Sequence, residues 1–222
     1  MTDIAERNRA AAPGLAQETA KRVLDFSLSF ILIVILSPLL LILWALVRWT
    51  SAGPALFRQE RLGLDARPFT MLKLRTMRVD CDDEVHRNYV AQLLTDDQPD
   101  PAGQDGLFKL CSDPRVTPVG RLLRRTSLDE LPQLFNVLRG DMSLVGPRPV
   151  LPWEADLFGP LYKRRFEVKP GITGLWQVSG RSKLTMREAL ELDVEYAIHR
   201  TFLLDVSIIL RTLPAMFNGG AR

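Results

Sequence analysis

The sequence predicts an α+β protein anchored in a membrane near its N-terminus. Three observations carry this: an uncharged run from Phe26 to Val47, two alternating segments between Pro54 and Met77 joined by turn-forming residues, and helical periodicity after Thr185. With 222 residues, 46% hydrophobic and 25% charged, the chain supports one compact domain with little left for a second. The implied organisation is a polar tail over 1–20, a membrane segment over 21–50, one domain over 51–217 and a short tail over 218–222.

The apolar run is long enough to match a hydrocarbon core of about 30 Å, and its default reading is one spanning helix. A cleavable leader fits poorly, because the run is too long and follows a polar stretch. Ser37-Pro38 falls near its middle. Proline removes a backbone donor and crowds the carbonyl four residues back, here that of Val34, so a kink or break is expected. Each half is then roughly 15 to 18 Å of helix, too short to cross alone. Lys21 and Arg22 precede the run, while Arg48, Arg58, Arg61, Arg67, Lys73, Arg75 and Arg78 follow it, so both flanks carry the cytoplasmic charge bias. A re-entrant helix-break-helix wedge satisfies both observations, and a spanning helix that tolerates its proline stays open.

Pro54 to Met77 reads as a β-hairpin turning at Gly63-Leu64-Asp65-Ala66-Arg67-Pro68. Period-two geometry puts Lys73 and Arg75 on one face with Phe69, Met71 and Met77, opposite Leu72 and Leu74. Those cations are either solvated or turned toward an anionic ligand. Asp80 to Gly106 is rich in aspartate, proline and glycine and reads as a solvated excursion enclosing a short helix over 84–94.

Asp113-Pro114-Arg115-Val116-Thr117 leads into Gly120-Arg121-Leu122-Leu123-Arg124-Arg125, a short helix expected to bury Leu122 and Leu123. Two adjacent carboxylates follow, Asp129 and Glu130, just ahead of Pro132. Proline at the first helical position and Gly140 as a stop mark a helix over 132–139. Acids at a helix start, with Arg124 and Arg125 close by, suggest phosphoryl transfer, because the same N-terminal field holds a phosphate. Ser127 and Glu130 also fit a capping box, which would make Glu130 structural. Gly140 to Pro149 then packs two glycines and two prolines around Arg148, a stiff turn that aims one guanidinium, the group suited to bidentate phosphate contacts.

Gly171, Gly174 and Gly180 bring backbone close to either a neighbouring strand or a nucleotide, with Arg181 at the end of that run. Two helices close the chain. Thr185 to His199 places Leu190, Val194 and Ala197 on one side, and Phe202 to Phe217 sets Phe202, Val206, Ile209, Leu210 and Leu213 opposite Asp205, Ser207, Arg211 and Thr212. Such a stripe faces either the core or a membrane interface.

A net charge of +3 and a pI near 9.1 allow nucleic acid, an anionic membrane or phosphorylated substrates as partners. Nucleic acid is the weakest of these, since no recognised binding motif is present. Cys81 and Cys111 read as reduced thiols, and His86 and His199 lie in no metal-ligand spacing. Mg2+ needs only one or two protein oxygens beside substrate phosphates, so a magnesium site stays open.

Read together, Ser127-Leu128-Asp129-Glu130-Leu131-Pro132-Gln133-Leu134 and Met142-Ser143-Leu144-Val145-Gly146-Pro147-Arg148-Pro149 closely resemble the signature of the bacterial sugar transferases, the monotopic phosphoglycosyl transferases. Phe57-Arg58-Gln59 and Lys73-Leu74-Arg75-Thr76-Met77 resemble further family strings, with Leu74 and Thr76 as mild departures, and Lys169 to Arg181 matches a third. The resemblance covers roughly Lys21 to Leu213 and leaves out the tail and the acidic excursion. It implies transfer of a sugar 1-phosphate from a UDP-sugar to polyprenyl (undecaprenyl) phosphate, with release of UMP, as the first membrane step of exopolysaccharide, capsule or other glycoconjugate synthesis.

By that resemblance Asp129 is the nucleophile and a ligand of Mg2+, Glu130 is its partner, and Arg58, Lys73, Arg75, Arg124, Arg125, Arg148 and Arg181 line the substrates. Ser37-Pro38 breaks a re-entrant membrane helix, and amphipathic helices lie in the interface around a cytosolic catalytic domain. The expected location is the cytoplasmic face of the bacterial inner membrane. The lipid bilayer is a partner, a homodimer is compatible, and the chain reads as the minimal catalytic form. The rival readings are a membrane-associated phosphohydrolase, which would pass the phosphoryl group to water, and a membrane-anchored scaffold, which would need no carboxylate pair.

Overall fold

The computed structural model describes residues 14–78, 115–180 and 184–218, with side chains as far as Ala215. Residues 1–13, the acidic excursion with its expected helix, Asp113-Pro114 and Arg181 lie outside the described residues.

Helix α1 (Leu15–Thr50) takes in the end of the expected tail and the whole apolar run. Its 36 residues make about 54 Å of helix. The backbone stays helical across Ser37-Pro38, where a kink or break is expected, and the helix continues through Pro38. Ser37 Oγ donates to the carbonyl of Val34 at 2.8 Å, supplying a partner for the oxygen that Pro38 leaves without one.

Both ends of α1 dock on the same domain. At the N-terminal end Arg22 donates to the carbonyls of Val137 and Leu138, Lys21 to that of Val145, and Asp25 accepts from the N–H of Leu144. At the other end Leu43 and Val47 pack with Ala55, Leu74 and Leu123. The outer face leaves Phe30, Ile31, Val34, Ile35, Leu41 and Ile42 exposed.

Strands β1 (Leu56–Leu62) and β2 (Pro68–Leu74) form the expected antiparallel hairpin, with Leu56 opposite Leu74 and Leu62 opposite Pro68. Its turn places Asp65 and Ala66, rather than Gly63, in the left-handed region with φ of 55°. The free edge of β2 is covered by one side chain. Asn136 Oδ1 accepts from the N–H of Leu72 and its Nδ2 donates to the carbonyl of Thr70, so a fully buried amide takes the place of a third strand.

Helix α2 (Pro118–Thr126) starts at Thr117, whose hydroxyl accepts from the N–H of Gly120. It buries Leu123 but leaves Leu122 outside, against the expectation for the pair. A 3-10 turn (Leu128–Glu130) leads to α3 (Gln133–Arg139), which ends at Gly140 with φ of 94°, as the glycine stop requires. Strand β3 (Ser143–Val145) pairs in parallel with β4 (Gly171–Thr173). The glycines here serve strand packing, because a Cβ on Gly171 would collide with the backbone of Gly146, and one on Gly146 with that of Lys169.

Helix α4 (Pro152–Asp156), a 3-10 segment (Tyr162–Glu167) and α5 (Leu175–Ser179) surround a second core with Trp176 and Leu190. Helix α6 (Met186–His199) begins in a capping box between Thr185 and Glu188 and buries Leu190, Val194 and Ala197 as expected.

Helix α7 (Phe202–Asn218) is rotated relative to the expected stripe. Asp205 and Ile208 face the interior, whereas Leu203, Leu210 and Leu213 are 78%, 70% and 64% exposed. Tertiary pairing explains this orientation. Asp205 Oδ2 lies 2.9 Å from Lys21 Nζ, and its Oδ1 accepts from the Tyr196 hydroxyl at 2.6 Å, so an acid on the polar face becomes the anchor between α1, α6 and α7.

Candidate active site

The dyad stands on the 3-10 turn between α2 and α3. Ser127 closes α2 in the left-handed conformation, φ 56°, with its N–H on the carbonyls of Leu123 and Arg124, and this sharp exit projects Asp129 and Glu130 ahead of α3. Leu128 and Leu131, flanking the acids, pack into the cluster that holds Leu43 and Val47 of α1. The C-terminal half of the apolar helix therefore underlies the carboxylates.

Glu130 is an ion-pair partner. Its Oε1 accepts from Lys73 Nζ at 2.9 Å and lies 3.9 Å from a terminal nitrogen of Arg148. Ser127 makes no side-chain capping bond, so the capping-box reading is set aside. Asp129 is buried at 4% exposure on the same turn.

Arg148 is aimed by two buried guanidinium groups on consecutive carbonyls. Arg165 donates to the carbonyl of Arg148 at 2.7 Å and Arg61 to that of Pro149 at 3.2 Å. Each has an acid behind it: Asp193 lies 2.6 Å from Arg165, and Glu154 lies 3.5 Å from Arg61. The Arg165 guanidinium also sits over the rings of Phe158 and Phe166. Burial lowers the Arg61 pKa to about 10, opposed by the charge of Glu154. Burial likewise raises the Asp193 carboxyl to about 6, against the pull of Arg165.

Of the residues singled out in the sequence, Asp129, Glu130, Lys73 and Arg148 come together here. Arg124 is near, its Nε donating to the Thr76 hydroxyl at 2.9 Å. Arg125 is exposed on α2. Arg58 is exposed and pairs with Leu72, which puts it on the hairpin face opposite Lys73. Arg75 turns to Ser51 at the end of α1. Arg61, Glu154, Arg165 and Asp193 escaped the sequence reading. Arg61 was detectable in principle, since it shares the Lys73 face in the hairpin register; Arg165, in the run Lys163-Arg164-Arg165, carries no signal that separates it from a solvated charge.

Among the described residues no group of three or more His, Cys, Asp or Glu side chains converges on a metal position. The oxygens on hand are those of Asp129 and Glu130, with Lys73 on the latter. This sparse carboxylate set fits Mg2+, which takes one or two protein oxygens and completes its shell with water and phosphate.

Adjacent carboxylates beside Lys73 and Arg148, on a domain bearing a long apolar helix, make a constellation suited to phosphate chemistry next to a membrane. The chain belongs to the bacterial sugar transferase family, whose model matches residues 16–219. It is 42% identical over 215 residues to the UDP-glucose:undecaprenyl-phosphate glucose-1-phosphate transferase of Caulobacter vibrioides, covering 93% of this chain and 73% of that protein. It is 43% identical over 202 residues to the galactosyl transferase CpsE of Streptococcus agalactiae, covering 90% of this chain and 42% of that one. The exopolysaccharide production protein ExoY of Sinorhizobium fredii is 36% identical over 200 residues, 89% of this chain and 85% of its own length. The chain thus spans less than half of the streptococcal relative and most of the other two.

Proposed function

We propose that this protein transfers a sugar 1-phosphate from a UDP-sugar to polyprenyl phosphate, releasing UMP, in exopolysaccharide or related glycoconjugate synthesis. The observation that supports it most is the placement of Asp129 beside a glutamate held by Lys73 and Arg148, on a turn seated against the apolar helix. Names of relatives, one a UDP-glucose:undecaprenyl-phosphate transferase, point the same way.

The reaction runs as a double displacement. An Asp129 carboxylate oxygen attacks the sugar-bearing phosphorus, the bond from that phosphorus to the bridging oxygen breaks, and UMP departs with the electron pair. An oxygen of polyprenyl phosphate then attacks the same phosphorus, giving polyprenyl diphosphate sugar and restoring the carboxylate. Arg148, aimed by Arg61 and Arg165, and Lys73 offset charge on the diphosphate as it shifts to the leaving group. Asp129 would hold Mg2+ with the donor phosphates, the ion supplying further charge neutralisation. Glu130 keeps Lys73 and Arg148 in register.

The membrane arrangement follows from α1. Both its ends bond to one domain, which supports a reading in which that domain lies on the cytoplasmic side and the exposed apolar face enters a single leaflet. Cysteine labelling in sealed vesicles checks this: positions ahead of Leu15 and after Thr50 react from the same side, and opposite sides would refute it.

The chemistry is tested by incubating the enzyme with a UDP-sugar and Mg2+ in the absence of lipid. Intact mass rises by one sugar phosphate unit, falls on adding polyprenyl phosphate, and labelled UMP exchanges into the UDP-sugar. Absence of both adduct and exchange, in enzyme active with lipid, would remove Asp129 from the nucleophile's role.

A further inference from the structure

Arg75 is only 6% exposed, yet it forms no ion pair among the described residues. One guanidinium nitrogen donates to the carbonyl and the hydroxyl of Ser51, each at 2.8 Å, capping the C-terminal end of α1. That cap accounts for one nitrogen of three. Its Nε and the other terminal nitrogen are buried without a hydrogen-bond partner.

The charge that acts on Arg75 makes matters worse rather than better. Arg48, in the last turn of α1, acts on Arg75 as a like charge and, with burial as the larger cause, lowers its pKa. Arg48 itself is exposed and has no ion pair among the described residues. Elsewhere in the molecule buried guanidinium groups have carboxylates: Arg61 has Glu154 and Arg165 has Asp193. A buried cation beside a second cation, with donors unspent, is costly unless an anion completes it.

The location narrows the anion. Arg48 and Arg75 sit where the apolar helix ends, and the exposed indoles of Trp44 and Trp49 mark the depth at which tryptophan meets lipid head groups. The same end of α1 lies under the dyad. Leu74, adjacent to Arg75, packs with Leu43 and Val47 and against Leu128 and Leu131, and Lys73, two residues back on the strand, holds Glu130. Arginine is matched to phosphate oxygens through its planar fork.

We propose that Arg75 and Arg48 form a subsite for a lipid-borne phosphate at the C-terminal end of α1. Resting on the transfer reading above, its occupant is the phosphate of the polyprenyl acceptor; the same chemistry would also take the head group of an anionic phospholipid. The donor's diphosphate belongs to Lys73 and Arg148, so the two substrates engage different cations.

The test uses the full chain in phosphatidylcholine nanodiscs, with thermal unfolding followed as undecaprenyl phosphate, phosphatidylglycerol or inorganic phosphate is added. Arg48→Gln removes an exposed cation that has no ion pair among the described residues. Arg75→Lys keeps a donor for Ser51 and loses the fork. Expected is a rise of at least ten-fold in the undecaprenyl phosphate concentration giving half the stabilisation, in both variants, together with a matching rise in KM for the acceptor and less than a two-fold change in KM for the UDP-sugar. An equal response to phosphatidylglycerol at the same mole fraction assigns the site to head groups and still supports a lipid phosphate. A change below two-fold for both lipids, or a rise confined to the UDP-sugar, overturns the proposal. The unfolding measurement needs no turnover, so it stands even if no sugar is transferred; conversely, normal transfer with an unchanged acceptor KM in Arg48→Gln sinks this subsite and leaves the proposed reaction intact.

Discussion

Asp193→Asn isolates the electrostatics of the clamp that aims Arg148. Asp193 and Arg165 are each almost fully buried, with 2.6 Å between their charged atoms, and Arg165 spends another donor on the carbonyl of Arg148. Burial raises the Asp193 carboxyl from 3.8 to about 6. At about 1.4 kcal/mol per pKa unit, that shift is on the order of 3 kcal/mol against the ionised form. The sign follows from proton counting. Between about pH 4 and pH 6 the unfolded chain has released this proton while the folded chain still holds it, so the contribution is fully present only below the unfolded value of 3.8 and is lost as pH rises through about 6. The asparagine amide cannot titrate and still offers Arg165 an oxygen.

Thermal unfolding in detergent, run for both proteins from pH 4 to pH 7.5, measures the difference directly. The variant is expected to gain on the order of 3 kcal/mol relative to the parent across that range, roughly 6 to 12 °C in Tm for a domain of this size. Differencing removes the titration of every other group. Parallel curves, with the gap constant to within about 1 kcal/mol, would show that the Asp193 proton is not linked to folding and would refute the reasoning.

Asp129→Asn should fold and keep its membrane association while losing sugar phosphate transfer by several orders of magnitude, because the amide is nearly isosteric but a poor nucleophile; more than a few per cent residual activity counts against it. Lys73→Met removes the ammonium 2.9 Å from Glu130, and kcat should drop about 10²-fold with little change in Tm, checked by UMP release. Gly171→Ala places a methyl against the backbone of Gly146, where neither parallel strand can retreat, so unfolding should move down by about 1–3 kcal/mol or more, and an unchanged Tm would dispose of the packing argument.

The features legible in the sequence were those encoded by neighbours along the chain. The hairpin, the glycine stop at Gly140, the two closing helices and the pair Asp129-Glu130 each depend on local turn chemistry or periodicity, which the residue order carries by itself. The tertiary structure decided the rest, because it depended on partners far apart in sequence. Glu130 is a cation's partner instead of a helix cap because Lys73 arrives from a strand 57 residues earlier. Asp205 turns inward, and its helix with it, because Lys21 and Tyr196 are there to receive it. Arg165 and Asp193 look like ordinary surface charges until folding buries them together behind Arg148, and Arg75, paired by strand alternation with Lys73, is drawn instead to Ser51. Within the helix through Pro38, the Ser37 hydroxyl bonds to the carbonyl of Val34, the oxygen whose usual donor proline lacks. Periodicity records which face of a segment is apolar; which charge meets which is a property of the packed chain, where desolvation penalises any buried ion that lacks a partner.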